Sequence, residues 1–118
     1  MGIFTVRMEV GDPQSVTFEA VEALVDTGST NTAIPGSVLR RLEVTPQYRD
    51  QFELADNSMV ELDVGRTWVK INGRQEFTQV GFAEDGTEPL LGVITLGEMG
   101  LGIDPIRQEL VPVRKKRK

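Results

Sequence analysis

Apolar and polar residues alternate through most of the chain, and this pattern predicts a protein built mainly from β-strands. From residue 4 to residue 10 every second side chain is apolar, which predicts a strand with one buried face. The next apolar series changes phase near Ala20, and we expect a β-bulge or bend at that point. This second strand runs into the segment Asp-Thr-Gly-Ser-Thr, residues 26–30.

Two hairpins and a short helix are predicted in the middle of the chain. Polar residues at 56–58 interrupt an alternating region and predict a hairpin over residues 52–64. The dipeptide Asn-Gly at 72–73 predicts the turn of a second hairpin. Pro-Gly-Ser at 35–37 predicts the start of a short helix, with Ser37 as its capping residue.

The C-terminal part of the chain predicts a second helix and further extended segments. A short apolar strand, Leu90–Leu91, leads into a helix at about Val93–Met99, which Gly100 ends. The apolar residues that follow, up to residue 113, predict extended chain. The fold class is therefore all-β, as a small closed barrel with one or two short helices.

Composition excludes several kinds of chemistry. The 118 residues suffice for one domain with one core, and they include no cysteine and no histidine. Disulfides, thiolate metal sites, Ser-His-Asp triads and most zinc sites are therefore excluded. Catalysis would have to use carboxylates, hydroxyls, lysines or backbone groups.

Charge is distributed unevenly along the chain, whose net charge is −5. Residues 114–118 are all basic, so residues 1–113 carry 8 basic against 18 acidic side chains. We expect one domain over residues 1–113 and a basic, disordered tail over residues 114–118. The acidic domain argues against nucleic acid as a partner. No apolar run reaches the length of about 20 residues that spans a bilayer, and no secretory signal is visible, so we expect a soluble, cytoplasmic protein.

Asp26 is the residue whose position most strongly indicates chemistry. It ends an apolar strand, where burial of a carboxylate costs free energy unless hydrogen bonds or a function compensate. Gly28 permits a tight turn, and the hydroxyls of Thr27 and Ser29 can hydrogen-bond a carboxylate. The same residues also fit a plain strand-to-turn junction in which Asp26 caps its own turn.

A second element, Pro-Leu-Leu-Gly at residues 89–92, runs into the second helix. In this order and at this spacing, the two elements resemble the retropepsin-like (clan AA) single-domain aspartic proteases. The stretch over residues 91–105 is similar to that of the small prokaryotic members. The resemblance covers nearly the whole chain, and it implies the closed acid-protease β-barrel and the activity of an aspartic-type endopeptidase.

The resemblance also implies a role for each matching residue. Asp26 would be the catalytic carboxylate, Thr27 would brace the paired loops across a dimer, and Ser29 would hydrogen-bond the carboxylate. The hairpin around Asn57 would form a flap over the substrate, with a more polar tip than the glycine-rich flaps of retroviral enzymes. The residues implied to contact substrate are Gly28, Thr30, Asn31, Ala33, Asn57, Ser58, Met59 and Leu90.

Peptide hydrolysis by carboxylates needs two of them close together, sharing a proton. Since the chain contains one Asp-Thr-Gly, a C2 homodimer would bring two copies of Asp26 together on its axis. The resemblance implies that terminal strands contribute to the interface, and segments 3–10 and 110–113 are the candidates. The implied reaction would use a polypeptide substrate, and we expect no cofactor, no metal ion and no membrane.

Two other interpretations stay open. The chain could be a catalytically weak binding or scaffolding module with the protease fold, in which Asp26 only anchors a turn. It could instead be an interaction domain whose tail, residues 114–118, recruits an acidic partner or nucleic acid. The acidic residues Glu84, Asp85 and Glu88 lack the spacing of a calcium loop, and we expect them to be solvated.

Overall fold

The computed structural model describes residues 2–26, 28–53 and 58–113, with the side chains of residues 2 and 3 left out. Thr27, Asn57 and the tail at 114–118 lie outside the described residues, so the expectations placed on them stay predictions. In order along the described chain, the elements are β1 (Gly2–Gly11), β2 (Phe18–Asp26), β3 (Thr32–Pro35), α1 (Gly36–Arg41), β4 (Tyr48–Glu53), β5 (Met59–Ile71), β6 (Arg74–Ala83), β7 (Leu90–Leu91), α2 (Val93–Met99), β8 (Leu101–Asp104) and β9 (Glu109–Pro112).

Most of the strands form one sheet that closes on itself. Its order is β1-β2-β7-β3-β6-β5-β4, and β1 also pairs with β5 where Glu9 lies opposite Lys70 and Val10 lies opposite Val69. This extra pairing joins the two sides of the sheet and confirms the closed, all-β architecture that the alternation predicts. β8 and β9 form a separate antiparallel pair.

The closed sheet encloses the hydrophobic core. Met8 and Val10 of β1 are fully buried, as the alternation over residues 4–10 predicts, and Val69 of β5 packs in the same cluster. Leu39 of α1 and Leu96 of α2 add to this core from the two helices. Each helix therefore covers the sheet through one apolar face, which is how so short a helix is stabilised.

The bulge expected near Ala20 is absent from the described pairing of β1 with β2, so that prediction was wrong. The register is regular across Ala20, and its only shift lies between Gly2 and Phe4, opposite the end of β2. The pattern predicted a bulge wrongly because the apolar residues before Ala20 do not face the core. Val16 is 76% exposed, and the ring of Phe18 lies 4.2 Å from the Lys70 ammonium group in a cation–π contact.

The capping role expected of Ser37 was also wrong. The first helix begins at Gly36, so Ser37 lies inside its first turn, and the N-cap position is Pro35, which supplies no side-chain cap. The N–H of Ser37 instead donates to Oδ1 of Asp85 at 2.8 Å. A carboxylate from a distant loop thus satisfies a free N–H at the positive end of the helix.

Trp68 lies on β5, where its ring packs against Phe77 with centroids 5.3 Å apart. Its indole N–H donates to the carbonyl of Pro13 at 3.1 Å. Both contacts are structural. In the part of the chain that the structure describes, no helix is long and apolar enough to cross a membrane.

Candidate active site

Asp26 lies at the C-terminal end of β2, directly after the fully buried Val25. Its side chain is only 1% exposed, although it is a carboxylate. Oδ1 accepts a hydrogen bond from the N–H of Gly28 at 2.8 Å, and its main-chain carbonyl accepts one from Ser29 at 3.0 Å. The chain therefore turns tightly around the carboxylate, which is stabilised as an anion by a backbone donor.

Opposing influences act on the ionisation of this carboxylate. Burial is the largest single influence and raises the pKa of Asp26. Hydrogen bonding, including the bond from the Gly28 N–H, lowers it, and in the single chain the net effect places the pKa of Asp26 below its ordinary value. A lowered pKa favours the ionised form of this carboxylate in one isolated chain.

The two sequence elements that carry the resemblance lie side by side. β7 runs parallel to β2, with Leu24 opposite Leu90 and Val25 opposite Leu91. The N–H of Leu24 donates to the carbonyl of Pro89 at 2.8 Å, which extends the pairing by one bond. On its other side β7 pairs with β3. β7 is thus inserted between the strand that ends at Asp26 and the strand that follows the Asp26 turn.

The first turn of α2 holds the main chain that follows Asp26. The N–H groups of Val93 and Ile94 donate to the carbonyls of Ser29 and Thr30 at 3.0 and 3.1 Å. Free N–H groups at the start of a helix need such acceptors. Gly92 makes this approach possible, because a Cβ there would lie 2.6 Å from the carbonyl oxygen of Thr30.

A buried network of threonine hydroxyls lies beneath the same loop. Thr95 of α2 is 2.7 Å from the hydroxyl of Thr32 and 3.1 Å from that of Thr78. Thr32 also accepts from the N–H of Gly92 at 3.0 Å, and Thr78 donates to Glu98 at 2.6 Å. These hydroxyls join β3, β6 and α2 under the Asp26 turn. These threonines were not predicted from the sequence, because three separated threonines form no local pattern until the topology brings them together.

A groove of about 400 Å³ opens beside the Asp26 turn. One wall comes from the β4–β5 hairpin, the other from the loop between β6 and β7, and the floor from the residues after Asp26 and from β7. Its described lining consists of Ser29, Thr30, Asn31, Ala33, Gln51, Phe52, Glu53, Met59, Val60, Leu62, Ala83, Glu84, Thr87, Glu88 and Leu90. The surface that these residues expose to the groove is mostly apolar, as is usual for a binding site.

Five of the residues implied to contact substrate lie in this groove: Thr30, Asn31, Ala33, Met59 and Leu90. Ser29 lines it as well. Gly28 and Ser58 are described but do not line it, and neither does Asp26, whose turn the groove reaches at Ser29. Among the described residues, no three acidic side chains converge as ligands for a metal ion.

Much of the groove was not predicted from the sequence either. Phe52, Leu62 and the acidic residues of both walls were not among the expected site residues. Gly81 of β6 explains why the two apolar side chains pack so closely there. A Cβ at Gly81 would lie 2.7 Å from the ring of Phe52 and 3.3 Å from Leu62. The contact of Gly81 with Phe52 and Leu62 depends on the pairing of distant strands, so no local sequence pattern indicates it.

No family model and no curated protein matches the sequence, but the fold has solved counterparts. The protease of simian foamy virus (mac) matches at a TM-score of 0.55 and 18% identity, over 78% of this chain and 90% of that one. The EIAV protease, complexed with the inhibitor HBY-793, matches at a TM-score of 0.61 and 19% identity, over 85% of this chain and 90% of that one. The retroviral protease-like domain of Ddi1 from Leishmania major matches at a TM-score of 0.57 and 16% identity, over 93% of this chain and 89% of that one.

These similarities confirm the retropepsin-like fold. At 16–19% identity they describe the arrangement of strands and helices and not the chemistry.

Proposed function

We propose that this protein is a homodimeric aspartic endopeptidase, of the small single-domain type found in prokaryotes, with Asp26 as its catalytic carboxylate. The observation that carries the proposal is a nearly fully buried carboxylate, held by a backbone N–H on a tight turn, beside a peptide-sized groove in a retropepsin-like fold. A carboxylate that only ended a strand would be exposed to solvent at lower cost.

The proposed reaction needs two carboxylates because one group cannot act as base and acid in the same step. The ionised Asp26 removes a proton from water while the water oxygen attacks the peptide carbonyl carbon. The protonated Asp26 of the second copy donates its proton to the carbonyl oxygen, giving a tetrahedral diol. The Asp26 that took the water proton then gives it to the amide nitrogen, while the ionised Asp26 of the second copy takes a proton from a hydroxyl of the diol. The C–N bond breaks, amine and carboxylic acid are released, and the pair again shares one proton.

Exposed apolar side chains near the Asp26 turn support assembly into a dimer. Val93 and Ile94 are 39% and 43% exposed, although they begin the helix whose N–H groups bind this turn. Val113, just after β9, is exposed too. Burial of such side chains against a second copy is favourable at about 25 cal/mol per Å² of apolar surface. We propose that this assembly also opens Asp26 to the groove.

The decisive experiment combines cleavage with assembly. We expect the unchanged protein to hydrolyse peptides from a library, with a bell-shaped pH profile, and a statine-type transition-state analogue to inhibit it. Asp26→Asn preserves the shape but removes the base and the shared proton, so hydrolysis should fall by several orders of magnitude. Sedimentation at micromolar concentration should show a dimer. Unchanged hydrolysis by the Asn variant would refute the mechanism, and a strict monomer would refute the assembly.

The result that would favour a binding or scaffolding module is equally specific. If neither protein cleaves any peptide while Asp26→Asn melts at a higher temperature, Asp26 is a buried charge without a catalytic role. The cytoplasmic location stays a prediction, which fractionation of the native source would test.

A further inference from the structure

The groove beside Asp26 combines apolar surface with an acidic rim. Ala33 and Leu90 at the floor and Phe52 on the β4 side supply apolar surface, whereas Glu53, Glu84 and Glu88 are exposed at its walls. Within the described residues, the lining includes three carboxylates and no cation. A ligand that fills this groove therefore meets a negative potential on both sides.

The three rim glutamates are available to a ligand. Among the residues the structure describes, the ion pairs join arginines to other carboxylates, and none of them includes Glu53, Glu84 or Glu88. A neighbouring depression does contain the cations Arg40 and Arg49. It also contains Glu61, Asp63, Glu84 and Asp85, so its charges leave this side of the molecule acidic.

The loop that carries two of these glutamates is held in place. Asp85 accepts the hydrogen bond from Ser37, and both the N–H and the hydroxyl of Thr87 donate to the carbonyl of Glu84. At its far end the carbonyl of Pro89 is bound by Leu24. Glu84 and Glu88 are thus presented from an ordered backbone, which reduces the entropy lost when a ligand binds.

We infer that the groove selects polypeptides in which an apolar residue is flanked by lysine or arginine. The apolar side chain would bury against the floor, and the flanking cation would lie against the rim glutamates. This inference rests on the proposed function, since it names the substrate class for the same site. Because exposed ion pairs are individually weak, about 0.2–1 kcal/mol each, charge would tune the selection and apolar contact would dominate it.

The test uses three fluorogenic peptides that differ only beside a central apolar residue, which is flanked by lysine, glutamine or glutamate. In low salt we expect kcat/KM to be about tenfold higher for the lysine peptide than for the glutamate peptide, and the ratio should shrink as salt screens the rim. The triple variant Glu53→Gln, Glu84→Gln, Glu88→Gln should lose this preference. Glu22→Gln, an exposed change on β2 outside the groove, should keep it.

A binding arm separates this inference from the proposed function. Asp26→Asn protein, with its folding checked by circular dichroism, is titrated against the same labelled peptides by fluorescence anisotropy. Tighter binding of the lysine peptide without cleavage by the unchanged protein supports the rim selection and overturns the protease. Cleavage without charge preference, or a preference that survives the triple variant, overturns the rim selection and leaves the protease standing. If the Asp26→Asn protein binds none of the three peptides, the rim selection is also overturned.

Discussion

Gly92→Ala tests whether the close approach of α2 to the Asp26 turn determines the stability of the site. The backbone at Gly92 is extended, with φ −93° and ψ 165°, so alanine adopts it without conformational strain. The cost is steric. The new Cβ would lie 2.6 Å from the carbonyl oxygens of both Thr30 and Asn31, where ordinary van der Waals contact is 3.4–4 Å.

The size of the effect follows from what must move. The obstacles are backbone atoms, so no side-chain rotation relieves the overlap, and α2 must separate from the turn by roughly 1 Å. That movement weakens the hydrogen bonds from Val93 and Ile94 to the turn, worth about 1 kcal/mol each. Overpacking adds about 1–3 kcal/mol. We expect a loss of about 3–5 kcal/mol in the free energy of unfolding, which for a domain of this size lowers Tm by about 12–20 °C.

Gly97→Ala is the matched control, because it makes the same change in the same helix where nothing lies within 4 Å of the new Cβ. Alanine is a better helix former than glycine by about 0.5–1 kcal/mol, so this variant should melt slightly higher. Thermal melts followed by circular dichroism, with denaturant titrations for the free energies, compare the three proteins. A Gly92→Ala protein as stable as the unchanged one would refute the reasoning about this contact.

Three further predictions address other parts of the molecule. Thr95→Val removes the hydroxyl that two other buried threonines contact and should cost about 1–3 kcal/mol, whereas the exposed Thr5→Val should cost little in the same denaturant titration. Asp85→Asn should lower Tm at neutral pH. The Ser37 N–H holds the pKa of Asp85 below its ordinary value of 3.8, so the ionised Asp85 contributes to folding stability above pH 3.8. The difference between the two proteins should vanish as the pH falls through the lowered pKa, and a difference that persists in acid would contradict the assignment. Deleting residues 114–118 should leave Tm and the sedimentation profile unchanged, because consecutive cations have no apolar surface to bury, and a large loss of stability would show that the tail is docked.

Local patterns predicted the elements of this fold well where one residue's environment depends on its near neighbours. The alternation over residues 4–10 describes β1, and α2 begins at Val93 and ends at Met99 as expected. In each case a strand face or a helix end is determined by residues a few positions apart. The position of Asp26 at the end of β2 follows in the same way.

Long-range partners could not be predicted in this way. The cap of α1 comes from Asp85 rather than Ser37, and the two positions are 48 residues apart. Thr32 and Thr95, which are in direct hydrogen-bond contact, are 63 residues apart. Such contacts depend on the order of strands in the sheet, and alternation along one strand contains no information about its neighbour. The misplaced bulge near Ala20 has the same origin, because the ring of Phe18 contacts Lys70 on the distant strand β5.

The insertion of β7 couples the candidate catalytic turn to the groove. Leu90 pairs with Leu24 on one side and with Ala33 on the other, and its side chain forms part of the groove floor. A displacement of α2 and β7 must therefore disturb both the turn and the floor, because one two-residue strand belongs to both. The rim glutamates are different, since they lie on the walls of the groove and outside that strand. Gly92→Ala should thus lower melting temperature and peptide affinity together, while the triple glutamine variant should alter peptide selection with little change in melting. If both variants changed only stability, or both changed only selection, the turn and the groove would not be coupled through β7.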